Sequence, residues 1–223
     1  MSVSVSGDGE MDEIGRTPTI MAMFPLGTVL LPGSILPLHV FEPRYRQMMV
    51  DCLAGESEFG VTLITRGRET GGGDVRASVG TVARIMQSNQ FPDGRSAHIT
   101  VGVRRIRIHE WLPDDPYPKA IVSDWPDVAV EVPAGRVAEV HRAVRRTLAL
   151  AIELGDTAVD ADTEIADDPL MASYHLSALA PVGSLDQLRL LSAPDATARL
   201  DALVETVADV DAALRFRLGT PDM

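Results

Sequence analysis

One stretch, Phe24 to Met49 (FPLGTVLLPGSILPLHVFEPRYRQMM), constrains the fold of this chain more than any other. Pro25 and Gly27 interrupt its first apolar run, and the chain turns at Leu31-Pro32-Gly33-Ser34. A second extended run, Ile35 to Phe41, leads into a helix at Glu42-Pro43, since a first-turn amide has no partner for proline to remove. Tyr45, Met48, Met49 and Cys52 then recur at spacings of three and four, which is one helical face, and Gly55 reads as a left-handed cap. Strand, turn, strand and helix follow one another with no room for a long connection.

The chain beyond it changes period once. Up to about Asp127 the apolar residues alternate, as in strands with one buried face. Ile20 to Phe24, Phe59 to Thr65, and Val79 to Met86 read as strands, and Pro92-Asp93-Gly94 is a turn. Ala97, Ile99, Val101 and Val103 then put apolar side chains on odd positions, so His98 is expected to face solvent. After Arg104-Arg105 the apolar parity passes to Ile106 and Ile108, which implies a bulge or a corner of the kind found in small barrels. Tyr117 to Trp125 supplies a last strand.

From Pro133 onward the period is helical. Val137, Val140, Val144, Leu148 and Ile152 share a face closed by Gly155, and Asp168-Pro169 opens a second helix. Ser184 with Gln187 reads as a capping box, and Leu200, Leu203, Val207, Val210, Leu214 and Leu218 form the stripe of a final helix. The expected class is α+β, with a β-barrel subdomain over 19–127 carrying one inserted helix and an α-helical bundle over 128–223. The first eighteen residues, polar and acidic, are expected to be a disordered tail without the apolar core of a signal peptide.

The opening stretch also resembles the start of the Lon protease N-terminal, or substrate-binding, domain in its small stand-alone form. Glu58-Phe59-Gly60-Val61, Val79 to Ile85 (VGTVARI) and Val101 to Ile108 (VGVRRIRI) fit the same family in the same order. The resemblance runs from about Ile20 to Trp125 and weakly through the helical remainder. It implies a PUA-like barrel and a non-catalytic role in binding unfolded or degradation-bound polypeptide, alone or as an adaptor to a protease, without a cofactor.

Direct reading of reactive side chains agrees with a non-enzyme. Lon catalysis uses a serine activated by a lysine outside this domain, and the lone lysine here is Lys119, in a strand-like segment where solvation accounts for it. Gly71-Gly72-Gly73 lacks the Gly-Lys ending of a phosphate loop. His39, His98, His109, His141 and His175 show no ligand spacing, and the acidic Asp160 to Glu164 run lacks the glycine and glutamate of a calcium loop. No metal site is expected. Cys52, the only cysteine, sits on an apolar helix face and reads as an inert thiol.

Net charge is −12, a surface that repels phosphate backbones and anionic lipid, so DNA and membrane are not expected partners, and the expected location is cytoplasmic. Arg104, Arg105 and Arg107 lack interleaved aromatics for stacking on RNA, which leaves RNA binding as an alternative and pairing with carboxylates as the plainer reading. Aromatics make up only 4% of the chain, so those near loops stand out. Phe91, Trp111, Tyr117 and Trp125 are the candidate peptide-binding residues, set against a second reading in which the tryptophans glue barrel to bundle. A homodimer formed through the helical half is the structural alternative, and an enzyme with an unassembled site a further one.

Overall fold

The computed structural model describes residues 17–67, 73–156 and 164–219. The tail expected over 1–18 lies almost wholly outside the described residues, as do most of the Gly71–Gly73 loop and of the Asp160–Glu164 run. Six strands, β1 (Thr19–Leu26), β2 (Ile35–Val40), β3 (Glu58–Arg66), β4 (Val75–Gln90), β5 (Ser96–Trp111) and β6 (Lys119–Asp124), form a mixed sheet in the order β2-β5-β4-β3-β1-β6. Helix α1 (Pro43–Ala54) connects β2 to β3. β6 also pairs with β5, so the sheet returns on itself. The length of β5 permits this: Ser96 to Val101 pair with β2, while Ile106 to Trp111 pair with β6.

β5 carries a bulge just before Arg104. Val82 faces Arg104 and Ala83 faces Gly102, which leaves Val103 without an opposite residue on β4 and re-aims the strand. Beside it the amide of Gly102 donates to Ser34 O (2.9 Å) and that of Gly33 to Gly102 O (2.8 Å). A Cβ on Gly102 would collide with the Leu31 carbonyl. Gly102→Ala is therefore expected to destabilise the protein by about 1–3 kcal/mol, the range for overfilling a packed site. Its urea midpoint measures this, and an unchanged midpoint would show that the Leu31 turn yields freely.

Two local expectations are corrected. In the first half of β5 the even positions face the core, so His98 is buried rather than solvent-facing. Its neighbours on that face are small hydroxyl residues whose polar atoms bond internally: Ser96 Oγ lies 2.8 Å from His98 Nε2, and Thr100 Oγ1 donates to Leu36 O (2.8 Å). The apolar side chains of Ala97, Ile99 and Val101 are left on the outer face. Gly55 ends α1 with φ −109° rather than in the left-handed region; Ser57 takes the positive φ (59°) two residues later. Gly155 does have the left-handed conformation (φ 75°) expected of it after α2.

The helical part comprises α2 (Arg136–Glu153), α3 (Pro169–Leu179), α4 (Ser184–Leu191) and α5 (Ala196–Gly219). Val140, Val144 and Leu148 of α2 pack with Leu176 of α3 and with Leu200, Leu203 and Val207 of α5 in one core. Asp168 caps α3 by accepting from Met171 N (2.9 Å). Ser184 does not form its capping box; Gly183 is the cap, and the Ser184 hydroxyl instead reaches Gly27 O (3.1 Å) after β1. A separate cluster, Leu31 with Tyr174 and Leu191, spans the two halves.

The same junction holds a buried polar network. Fully buried Arg199 donates to Asp127 Oδ1, to Ser173 Oγ (2.9 Å) and to Leu190 O (3.0 Å), and the Tyr174 hydroxyl donates to Asp127 Oδ2 (2.6 Å). From the barrel side Arg105 Nη1 donates to Leu191 O and Ala193 O, both at 2.6 Å, and Nη2 lies 3.3 Å from Asp127 as an ion pair. Two guanidinium groups thus meet one carboxylate. The last carbonyls of α4, the negative end of that helix, balance the second positive charge.

Candidate functional site

Among the described residues β2 pairs only with β5, which leaves its other edge without a strand partner there. Because the Gly102 amide bonds Ser34 O, two-residue periodicity puts Leu36, Leu38 and Val40 in bonded pairs with β5. Ile35, Pro37 and His39 then direct their main-chain groups to the open side, and a proline is compatible with that place because it has no amide hydrogen to leave unpaired. Facing this edge across a cleft of about 170 Å³ are Phe24 and Leu26 of β1 and Tyr45 of α1. The Phe24 and Tyr45 rings stack at 4.1 Å and 8°.

The cleft continues past the end of β2. A hollow of about 400 Å³ lies among His39, Val40, Phe41, Phe91 and Arg95, sharing His39 to Phe41 with the first. A third, about 440 Å³, shares Phe91 and Ser96 with the second and lies between α1 (Arg46, Met49, Val50) and the β4–β5 turn, with His98 in its wall. Phe41 is 60% exposed and Phe91 40%. Val50, Met86, Ile99 and Ile35 are exposed on α1 and on the outer faces of β4, β5 and β2. One end of the barrel therefore combines unpaired main chain with exposed apolar side chains.

The four sequence-selected aromatics are not brought together. Phe91 lies in the joined clefts. Trp111 is half-buried at the far end of β5 under the Arg76 guanidinium, 4.4 Å from its ring. Trp125 is half-buried beneath Arg105 and Arg107, at 4.3 and 4.7 Å. Tyr117 is buried; its hydroxyl donates to Asp51 Oδ2 (2.8 Å), an interaction that holds the Asp51 carboxyl below its usual range, and burial pushes the phenol up to about 12. Sequence reasoning missed Phe41, Val50 and Ile99. Pro37 within a strand was the available signal, because it marks an edge.

Other groups are engaged locally. Arg104 pairs with Glu58 (2.7 Å) and Asp124 (2.8 Å), so Arg104, Arg105 and Arg107 do not make a shared basic face. A wider hollow of about 1060 Å³ beside α2 contains His141 and His175, but Arg145 Nε donates to His141 Nε2 (2.9 Å) and Ala166 N to His175 Nδ1 (3.3 Å). Lys119 Nζ donates to Asp115 O (3.1 Å). Among the described residues no group of three His, Cys, Asp or Glu is placed to hold a metal, and no helix is long and apolar enough to cross a membrane. Burial raises the Cys52 thiol from near 9 to about 11. Cys52 is therefore expected to react with a thiol reagent at pH 8 only at the rate of opening; labelling as fast as that of the urea-unfolded chain would contradict this.

The sequence profile described as the ATP-dependent protease La (LON) substrate-binding domain matches residues 20–209. The chain belongs to the Lon substrate-binding domain family. The Lon protease of Cytophaga hutchinsonii is 25% identical over 205 residues, covering 89% of this chain and 25% of that protein. A LON peptidase N-terminal domain and RING finger protein of Schizosaccharomyces pombe is 24% identical, with 88% and 47% coverage. The chain thus spans a quarter to a half of the length of these relatives. The crystal structure of a Lon N-terminal domain protein from Xanthomonas campestris superposes with a TM-score of 0.64 at 29% identity, over 84% of this chain and 98% of that one. The N-terminal domain of Mycobacterium avium complex Lon protease shares the fold (TM-score 0.59, 21% identity, 86% and 99% coverage). The Lon-family assignment covers the substrate-binding part; no ATPase or protease domain is evident in the 223 residues.

Proposed function

We propose that this Lon-family chain binds extended, apolar segments of unfolded polypeptide without altering them chemically, and that it serves as a recognition unit or adaptor in protein quality control. The observation that carries this reading is the open β2 edge bordered by Phe41, Phe91 and the joined clefts. Main-chain pairing to a strand edge is indifferent to side-chain identity, and exposed aromatic and aliphatic side chains add affinity for any apolar residue they meet. Folded proteins have already buried both kinds of group, so the surface discriminates by folding state. The membership in a family described as substrate-binding supports the same reading. No nucleotide is required by such contacts, and the barrel is read as PUA-like on the same grounds of family.

The test is binding of a fluorescent, permanently unfolded polypeptide by the purified chain, with the folded parent as control and light scattering on the same samples. Dissociation constants in the micromolar range, about −7 to −8 kcal/mol, are expected for the unfolded form alone. Equal binding of the folded parent, or none of either at about a hundred times that concentration, would end the proposal.

A further inference from the structure

The joined clefts end between the first turn of α1 and the β4–β5 turn, and the chemistry changes there from apolar to cationic. Arg46 lies in this terminal cleft, its guanidinium seated against Gly94, where a Cβ would collide with it. The positive φ of 81° favours glycine at position 94, and its lack of a side chain leaves the room that the Arg46 guanidinium occupies. Among the described residues Arg46 has no carboxylate partner, whereas its neighbours Arg44 and Arg95 are paired with Glu42 and Asp93. His98, 2% exposed, lines the same cleft, and its Nδ1 has no hydrogen-bond partner. The α1 N-terminus adds its positive end: Glu42 makes no side-chain cap there. Met49, Val50 and Phe91 form the apolar part of the wall.

We propose that this terminal cleft takes the C-terminal carboxylate of a bound polypeptide, paired with Arg46, while the last side chain packs on Phe91 and Val50. The proposal rests on the polypeptide-binding reading and adds polarity to it. A chain lying along β2 with its C-terminal end towards Phe91 runs up to α1, which brings its terminal carboxylate beside Arg46. A carboxylate is the partner that the unpaired Arg46 calls for, and the His98 tautomer in which Nε2 accepts from Ser96 Oγ leaves an Nδ1–H in the same wall.

The experiment uses a fluorescein-labelled apolar decapeptide ending in two leucines, compared as free acid, as C-terminal amide, and as an amide whose final residue is glutamate. The free acid is expected to bind the full chain at least about tenfold tighter than either amide, the scale of one charge-assisted hydrogen bond. In Arg46→Gln, an exposed substitution, the acid is expected to fall to the affinity of the amide, and Arg46→Lys to restore part of the difference. Equal binding of acid and amide would overturn the carboxylate site while leaving the polypeptide-binding reading in place. Equally tight binding of the glutamate amide would overturn the terminal assignment, and a preference that survives Arg46→Gln would overturn the location. Absence of binding by all three peptides and by unfolded polypeptide would remove the underlying reading and this inference with it.

Discussion

Asp127→Ala is expected to cost about 3–5 kcal/mol of folding stability, because it strips the one carboxylate from two buried guanidinium groups. Arg199 would keep its bonds to Ser173 and Leu190, and Arg105 those to Leu191 and Ala193, but among the described residues neither positive charge would retain an ion-pair partner. The carbonyl dipoles of α4 stabilise a cation by far less than a buried carboxylate does. Urea unfolding of the full chain gives the value. The double variant Asp127→Ala/Arg199→Met is expected to be less destabilised than the sum of the single changes, since the second substitution removes the charge stranded by the first. A loss below about 1 kcal/mol for Asp127→Ala would mean that water reaches the network and that it contributes as a surface ion pair does.

Phe41→Ala with Phe91→Ala is expected to weaken binding of unfolded polypeptide at least about thirtyfold, roughly 2 kcal/mol, the threshold of an interface hot spot. Phe41 is mostly exposed and Phe91 partly so, so folding stability should change by no more than about 1 kcal/mol. Trp125→Ala and Tyr117→Phe provide the opposite pattern. Trp125 supports Arg105 at the junction and Tyr117 holds Asp51, so their loss should appear in stability and leave affinity within about twofold after correction for the folded fraction. Affinity that tracks Trp125 instead of Phe41 would move the binding surface to the β/α junction.

The elements were legible because their signals are local. Pro43 opens α1 and Asp168 caps α3 as read, and a bulge does lie in β5, at Val103, although even positions are buried on both sides of it. The facing of β5 was not legible in its first half. Ala97, Ile99 and Val101 look like a core face, but the core beneath α1 is filled from other elements by Tyr45, Met48, Met49, Phe24 and Phe59. The strand contributes Ser96, His98 and Thr100 to it, side chains whose burial depends on hydrogen bonds made across the fold. The clefts beside β2 were not legible for the same reason. Once the apolar face of β5 is taken as core, Ile99 cannot be counted as exposed, and attention passes to aromatics near loops. Three of those four are held by internal partners that sequence order does not reveal: Trp111 lies under Arg76, Tyr117 bonds Asp51 and Trp125 lies under Arg105, each partner on another element.

Pro37 has a consequence for how this molecule coexists with the chains it is proposed to meet. An open strand edge beside exposed apolar residues is also a template on which partly unfolded proteins accumulate, each added strand offering a new edge to the next. A guest strand on β2 finds donors at Ile35 and His39 but none between them, so its hydrogen-bonded run is short and broken in the middle. Such a guest is held by fewer main-chain bonds than an unbroken edge would offer, and it leaves more readily. The missing amide hydrogen of one proline thereby shortens the main-chain run available to a guest on a strand only six residues long, and favours its release.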